Sequence, residues 1–138
     1  LSLSDPNGED FTAKVLGNKE FQFVVIINDL QKANKGYYED IAKLYEECRE
    51  YEIDFCAAIG STWEEIDVFR AEIGSDFPIY TSDPTELKTV IRSNPGLMLL
   101  KNGYVMKKWH YLDIPVLNDI YLEGSFNAFA GISKKKPE

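Results

Sequence analysis

The chain has 138 residues, 44% of them hydrophobic, which suits one domain with one core and needs neither disulfides nor metals to hold it. Its 15 basic and 23 acidic residues leave a formal charge of -8, which repels phosphate backbones and excludes nucleic acid as a natural partner. The 2 cysteines, Cys48 and Cys56, are too few for a disulfide scaffold, and their separation matches neither zinc-knuckle nor Cys-x-x-C spacing.

The opening segment alternates apolar and polar residues around Asp5-Pro6-Asn7-Gly8, which predicts a short N-terminal hairpin. Phe21 to Ile27 is β-branched, aromatic and almost wholly apolar, as expected of a central strand covered on both faces. From Gly36, the residues Tyr37, Ile41, Leu44, Tyr45 and Cys48 recur at helical spacing. Ile53 to Ile59 then reads as a second buried strand, and the intervening helix makes it parallel to the first in a right-handed βαβ unit.

Ser61 and Glu64 fit a capping box, with Thr62 and Glu65 as a shifted alternative. Trp63, Ile66, Phe69 and Ile73 mark the buried stripe of the helix that follows, and Gly74 ends it. Phe77 to Thr81 is a third short strand. Asp83 then caps a short helix with Pro84 at its first position and Leu87, Val90 and Ile91 facing inward. Leu97 to Leu100 and Tyr104 to Trp109 flank Asn102-Gly103, a pair that favours a type I′ hairpin turn. Asp113-Ile114-Pro115 opens a last helix predicted to run through Val116, Leu117, Ile120 and Tyr121 to Gly124, and Ser125 to Ile132 reads equally as helix extension or loop.

No apolar run approaches the roughly 18 to 20 residues needed to span a bilayer. The chain starts at Leu1 without a charged-then-apolar leader, the form of an excised domain or of a mature protein whose address has been removed. Lys134 to Lys136 read as a solvated tail without a role.

Three features carry a family resemblance. Leu3, Asp5, Gly8, Phe11 and Thr12 are similar to the hairpin that precedes the first core strand in redoxins. Asn94-Pro95-Gly96, followed by an apolar strand and Asn102-Gly103, is similar to the redoxin stretch in which a cis-proline begins an antiparallel strand. The element order from Leu3 to about Gly124 resembles the thioredoxin fold, and most nearly the extracytoplasmic TlpA-like redoxins. The resemblance implies a three-layer α/β/α architecture with a central mixed sheet and an N-terminal β-hairpin. It divides one thioredoxin-like domain into a hairpin extension over residues 1–20, a core over 21–124 and a C-terminal tail over 125–138.

The departure from that pattern carries the functional expectation. In redoxins the Cys-x-x-C pair opens the first long helix, where the helix N-terminus lowers the pKa of the attacking thiol. Here that place reads Asn28-Asp29-Leu30-Gln31-Lys32-Ala33-Asn34-Lys35-Gly36, so Lys32, Ala33, Asn34 and Lys35 occupy the redox position, and counting back from the second strand moves it two or three residues upstream without finding a cysteine. A peroxiredoxin's single cysteine would fall in the same stretch. The resemblance implies a surface formed by Lys32 to Gly36 and by Asn94, Pro95 and Gly96, on which active thioredoxins hold an extended substrate through backbone hydrogen bonds. The expectation is a non-catalytic module that binds a protein or peptide, including a membrane-embedded domain of the same chain of the DoxX type, with no small-molecule cofactor, no metal and a periplasmic setting.

The rival reading is an atypical thiol-disulfide oxidoreductase using Cys48 or Cys56, since one ends a helix and the other begins the adjacent strand. Both lie on apolar patterns, as packed structural thiols do. His110, the only histidine, reads as a packed or backbone-bonded side chain. Glu46-Glu47, Glu64-Glu65 with Asp67, and Asp119 read as solvated helix faces without EF-hand spacing. Ser61 and Ser93 lack a G-x-S-x-G frame, and no glycine-rich phosphate loop follows a core strand, so hydrolase and nucleotide readings fail. The tyrosines serve mostly as core, although the residue type is favoured at interfaces.

Overall fold

A computed structural model describes residues 1–122 and 125–126. The first core strand, β1 (Phe21–Ile27), is buried along all but its first residue. It pairs in parallel with β2 (Asp54–Ile59), placing Phe23 beside Phe55 and Ile27 beside Ile59. On its other side it pairs antiparallel with β4 (Gly96–Lys101), Phe23 facing Leu99. The edges are β3 (Ile79–Thr81), parallel to β2, and β5 (Tyr104–His110), antiparallel to β4, giving five strands in the order β3-β2-β1-β4-β5. Asn102 (φ 53°) and Gly103 (φ 82°) both take the left-handed backbone that a type I′ turn demands.

Strand alternation sends side chains into two separate cores. On one face Phe23, Val25 and Ile27 pack with α2 (Tyr38–Glu50), α3 (Trp63–Ile73) and α5 (Leu117–Ile120). On the other, Val24 and Ile26 pack with Leu3, with α1 (Thr12–Leu16) through Val15 and with α4 (Pro84–Val90) through Leu87. The sheet thus lies between two helical layers, and burying a side chain such as Phe23 contributes about 1.5–3 kcal/mol.

Local chemistry fixes the helix starts. The shifted capping box is the one that forms: Thr62 Oγ1 accepts from Glu65 N at 3.2 Å, and Glu65 Oε1 accepts from Thr62 N at 3.0 Å. Ser61 is unavailable because its hydroxyl accepts from Leu30 N at 3.0 Å, tying the loop after β1 to the start of α3. Asp83 Oδ1 accepts from Thr85 N at 2.8 Å, with Pro84 at the first helical position. Gly74, at φ 64°, ends α3.

The two ends of the chain depart from the expected elements. The N-terminal turn forms, with Asp5 Oδ1 accepting from Asn7 N and Glu9 N, but Ser4 pairs with Asp10 and Thr81 as isolated bridges rather than a ladder. The returning arm coils into α1 because the Thr12 hydroxyl is held between Leu3 N at 2.8 Å and Asp10 Oδ1 at 2.6 Å, which turns the chain away from extended pairing. At the other end Tyr111–Asp113 is a 3₁₀ turn and α5 is a single turn that starts at Leu117, where Glu47 Oε1 accepts the backbone N–H at 2.9 Å. The chain then extends as β6 (Tyr121–Leu122) against β7 (Ser125–Phe126), with the Tyr121 and Phe126 rings 4.6 Å apart. The expected helix to Gly124 is therefore replaced by one turn and a short ribbon. The remainder of the 125–138 tail lies outside the described residues, as does Gly124.

Candidate binding cleft

The two segments singled out by sequence, 32–36 and 94–96, meet directly. The Asn94–Pro95 peptide is cis. Asn34 N donates to the Asn94 carbonyl at 3.0 Å, and Asn94 Nδ2 donates to the Asp29 carbonyl at 2.9 Å. Ser93, buried, donates to the Pro95 carbonyl at 2.6 Å and accepts from Tyr111 N at 2.9 Å, so the turn is also pinned to the end of β5. Ser93 is thus a structural tie. The Asn94 and Pro95 carbonyls are consumed within the chain, which leaves less backbone for an extended guest than the resemblance implies.

Open space lies on the α4 side of this seam. A cleft of about 830 Å³ runs along the C-terminal end of β1, bounded by Asn28, Lys32 and Asn94, by Thr85, Lys88, Thr89 and Val90 of α4, and by Ile91 and Arg92 just beyond that helix. Ligands of open α/β sheets bind in such crevices, outside the carboxyl ends of the strands. Three lining side chains, Lys32, Lys88 and Arg92, are cationic, and among the described residues no carboxylate lines it. Asn28 is only 4% exposed, and among the described residues its carboxamide has no hydrogen-bond partner. Close approach at Gly60 joins the end of β1 to the start of α4: a Cβ there would lie 2.6 Å from the Asn28 carbonyl and 2.7 Å from Pro84 Cα.

The expected site residues separate. Lys32 and Asn94 line the cleft. Ala33 packs against the core, and Asn34 caps the 3₁₀ turn at Lys35–Tyr37 by accepting from Gly36 N. Lys35 points to a smaller hollow of about 230 Å³ and pairs with Glu72 at 3.1 Å. Gly36 is exposed, whereas Pro95 and Gly96 are buried. Asn28, Thr85, Lys88 and Arg92 were not among the sequence candidates. A partial signal was present in the i, i+3 spacing of Thr85 and Lys88 on α4, whereas Arg92 lies beyond the helix end.

Neither cysteine has the surroundings of a nucleophile. Cys48 belongs to the core on one face of the sheet and Cys56 to the core on the other, so the sheet itself stands between them and a bridge would require it to open. Burial pushes both thiols up to about 12, away from the thiolate. A hollow of about 260 Å³ does reach Cys56, but Gln22 Nε2 lies 3.7 Å from its sulfur and no cation is positioned to stabilise a thiolate within hydrogen-bonding reach. His110 Nδ1 accepts from Leu112 N at 3.2 Å, a local backbone bond. Among the described residues no group of 3 or more His, Cys, Asp or Glu side chains is placed to hold a metal. No helix of the described residues is long and apolar enough to cross a membrane.

No protein-family model matches the chain, and no curated protein matches it in sequence. Solved structures do match in fold. A thioredoxin-like protein from Aeropyrum pernix is 16% identical with a TM-score of 0.61, over 86% of this chain and 85% of that one. StoA from Bacillus subtilis is 14% identical with a TM-score of 0.56, over 78% and 84%. A hypothetical protein of Sinorhizobium meliloti 1021 is 16% identical with a TM-score of 0.56, and the match covers 76% of this chain but only 63% of that protein. Identities this low carry the fold alone, and the fold is thioredoxin-like.

Proposed function

We propose that this chain is a degenerate, TlpA-like redoxin domain that binds a protein or peptide segment and does not exchange disulfides. The observation that carries the reading is the cleft itself. It opens where residues 28–36 meet Asn94–Pro95, the place where redoxins work, yet Lys32 to Lys35 stand where the resemblance implies a cysteine pair. The protonated, separately buried Cys48 and Cys56 weigh against the oxidoreductase alternative. Its partner is a protein or peptide, with a membrane-embedded domain of the same chain, DoxX-like, as one form of it. Its setting is extracytoplasmic, a proposal that rests on the Leu3–Thr12 and Asn94–Gly103 resemblance. A nitrogen-15 correlation spectrum of the chain, titrated with uncharged extended heptapeptides, tests the binding half. Shifts concentrated at residues 28–36, 85–92 and 94–96 are expected. Shifts scattered elsewhere, or none with any peptide, would overturn it.

A further inference from the structure

We infer that the occupant of the cleft is an extended segment carrying acidic side chains, an inference that rests on the binding role just proposed. The chain as a whole is strongly acidic, with a formal charge of -8, yet among the described residues the walls of this cleft hold Lys32, Lys88 and Arg92 and no carboxylate. None of these cations is in an ion pair with another described residue. The ion pairs among the described residues are Lys35 with Glu72 and Arg49 with Glu46, both elsewhere.

A second, independent feature points the same way. Asn28, just past the end of β1, is only 4% exposed and lines the cleft, and its carboxamide makes no hydrogen bond to another described residue. Buried polar side chains are nearly always partnered, so an amide left open toward a cleft is a place for a ligand atom. Its N–H₂ donors suit a carboxylate oxygen, and flanking cations strengthen such a bond. Val90 and Ile91 add an apolar wall, which a bare inorganic anion would not use but the stem of a glutamate or a neighbouring aliphatic residue would. At about 830 Å³ the cleft exceeds the needs of one small anion and fits a few residues of chain. The occupant is therefore a carboxylate-bearing peptide segment, recognised by charge in the cleft and by its course beside the Asn94 turn.

The test uses the full chain at low salt and three blocked heptapeptides, Ser-Val-X-Thr-X-Val-Ser, with X as Glu, Gln or Lys, followed by fluorescence anisotropy and amide shifts. The Glu peptide should bind at least tenfold more tightly than the Gln peptide, and the Lys peptide should not bind measurably. Its shifts should include Asn28, Lys32, Thr85 and Lys88. Paired Lys88→Glu and Arg92→Glu changes, at exposed positions, should weaken the Glu peptide at least tenfold. Lys32→Gln on the opposite wall gives an independent check should the double variant fail to fold. Equal binding of the Glu and Gln peptides, with shifts in the cleft, would overturn the acidic preference and leave the binding role standing. No binding by either would overturn both. Sodium glutamate or inorganic phosphate reproducing the shifts at peptide concentrations would overturn the peptide in favour of a small anion.

Discussion

Replacing Gly60 by Ala tests how tightly the end of the sheet is joined to α4. Gly60 follows β2, and its N–H donates to the Ile27 carbonyl at 2.8 Å. A methyl group there would lie 2.6 Å from the Asn28 carbonyl, 2.7 Å from Pro84 Cα and 2.8 Å from Pro84 Cβ. The first two are main-chain atoms, fixed by β1 and by the first turn of α4, so relief requires moving a strand end or a helix. No left-handed φ contributes at this glycine, so the whole effect is the contact. Overpacking of this kind costs about 1–3 kcal/mol, and contacts with unyielding backbone put Gly60→Ala near the upper end, about 3 kcal/mol. For a domain of this size that is a fall in melting temperature of roughly 9–15 °C. Gly36→Ala is the control: its methyl would meet only the flexible Asn34 Oδ1, at 3.2 Å, and should change stability by less than about 0.5 kcal/mol. Thermal and urea unfolding followed by circular dichroism measures both. A Gly60→Ala protein that melts within 2 °C of the parent, a margin set by roughly 0.5 kcal/mol, would refute the close approach that joins the end of β1 to α4.

Further expectations concern other parts of the fold. Thr62→Ala removes the capping-box acceptor and should cost about 1 kcal/mol in urea unfolding, whereas Thr62→Ser should restore it; an equal loss in both would assign the effect to the methyl group. Lys35→Ala removes an exposed ion pair with Glu72 and should cost no more than about 0.5 kcal/mol. Burial holds the folded thiols of Cys48 and Cys56 at about 12 against an ordinary 9.0, so above pH 9 the unfolded chain loses those protons first. Their contribution is complete below pH 9 and is lost as pH rises toward 12, at up to about 1.4 kcal/mol per pH unit for each thiol. Urea midpoints at pH 8 and pH 10.5 should therefore diverge, and a Cys48→Ala/Cys56→Ala protein should diverge less; identical divergence would place the alkaline sensitivity elsewhere, with Tyr38, also raised to about 12, the next residue to test.

Much of the fold was legible because its signals are local. Phe21 to Ile27 announces a doubly covered strand, Asn102-Gly103 a tight hairpin, and Asp83-Pro84 a helix start, and each depends on neighbours within a few residues. What the sequence hid was set by distant partners. Ser61 yields its capping role because Leu30, 31 positions away, takes its hydroxyl. The last helix stops at one turn where Glu47, 70 positions away, satisfies Leu117 N and where Tyr121 turns to meet Phe126. Of the site, the lack of a cysteine in residues 28–36 is readable directly, because the absence of a residue type from a stretch needs no coordinates. Lys88 on α4 and Arg92 just beyond it could not be assigned to the site until the fold placed them with Lys32 in one cleft. The opposite placement of Cys48 and Cys56 follows from strand parity, since Cys56 alternates with Phe55 and Ala57 along β2, but only the sheet identifies which layer each face meets.

The central claim is that the domain keeps a binding cleft and carries no working thiol. Insulin reduction with dithiothreitol as electron donor, comparing the parent chain with Cys48→Ser/Cys56→Ser, tests it most directly. The account predicts no acceleration over dithiothreitol alone for either protein. Turnover by the parent that disappears in the double variant would contradict it.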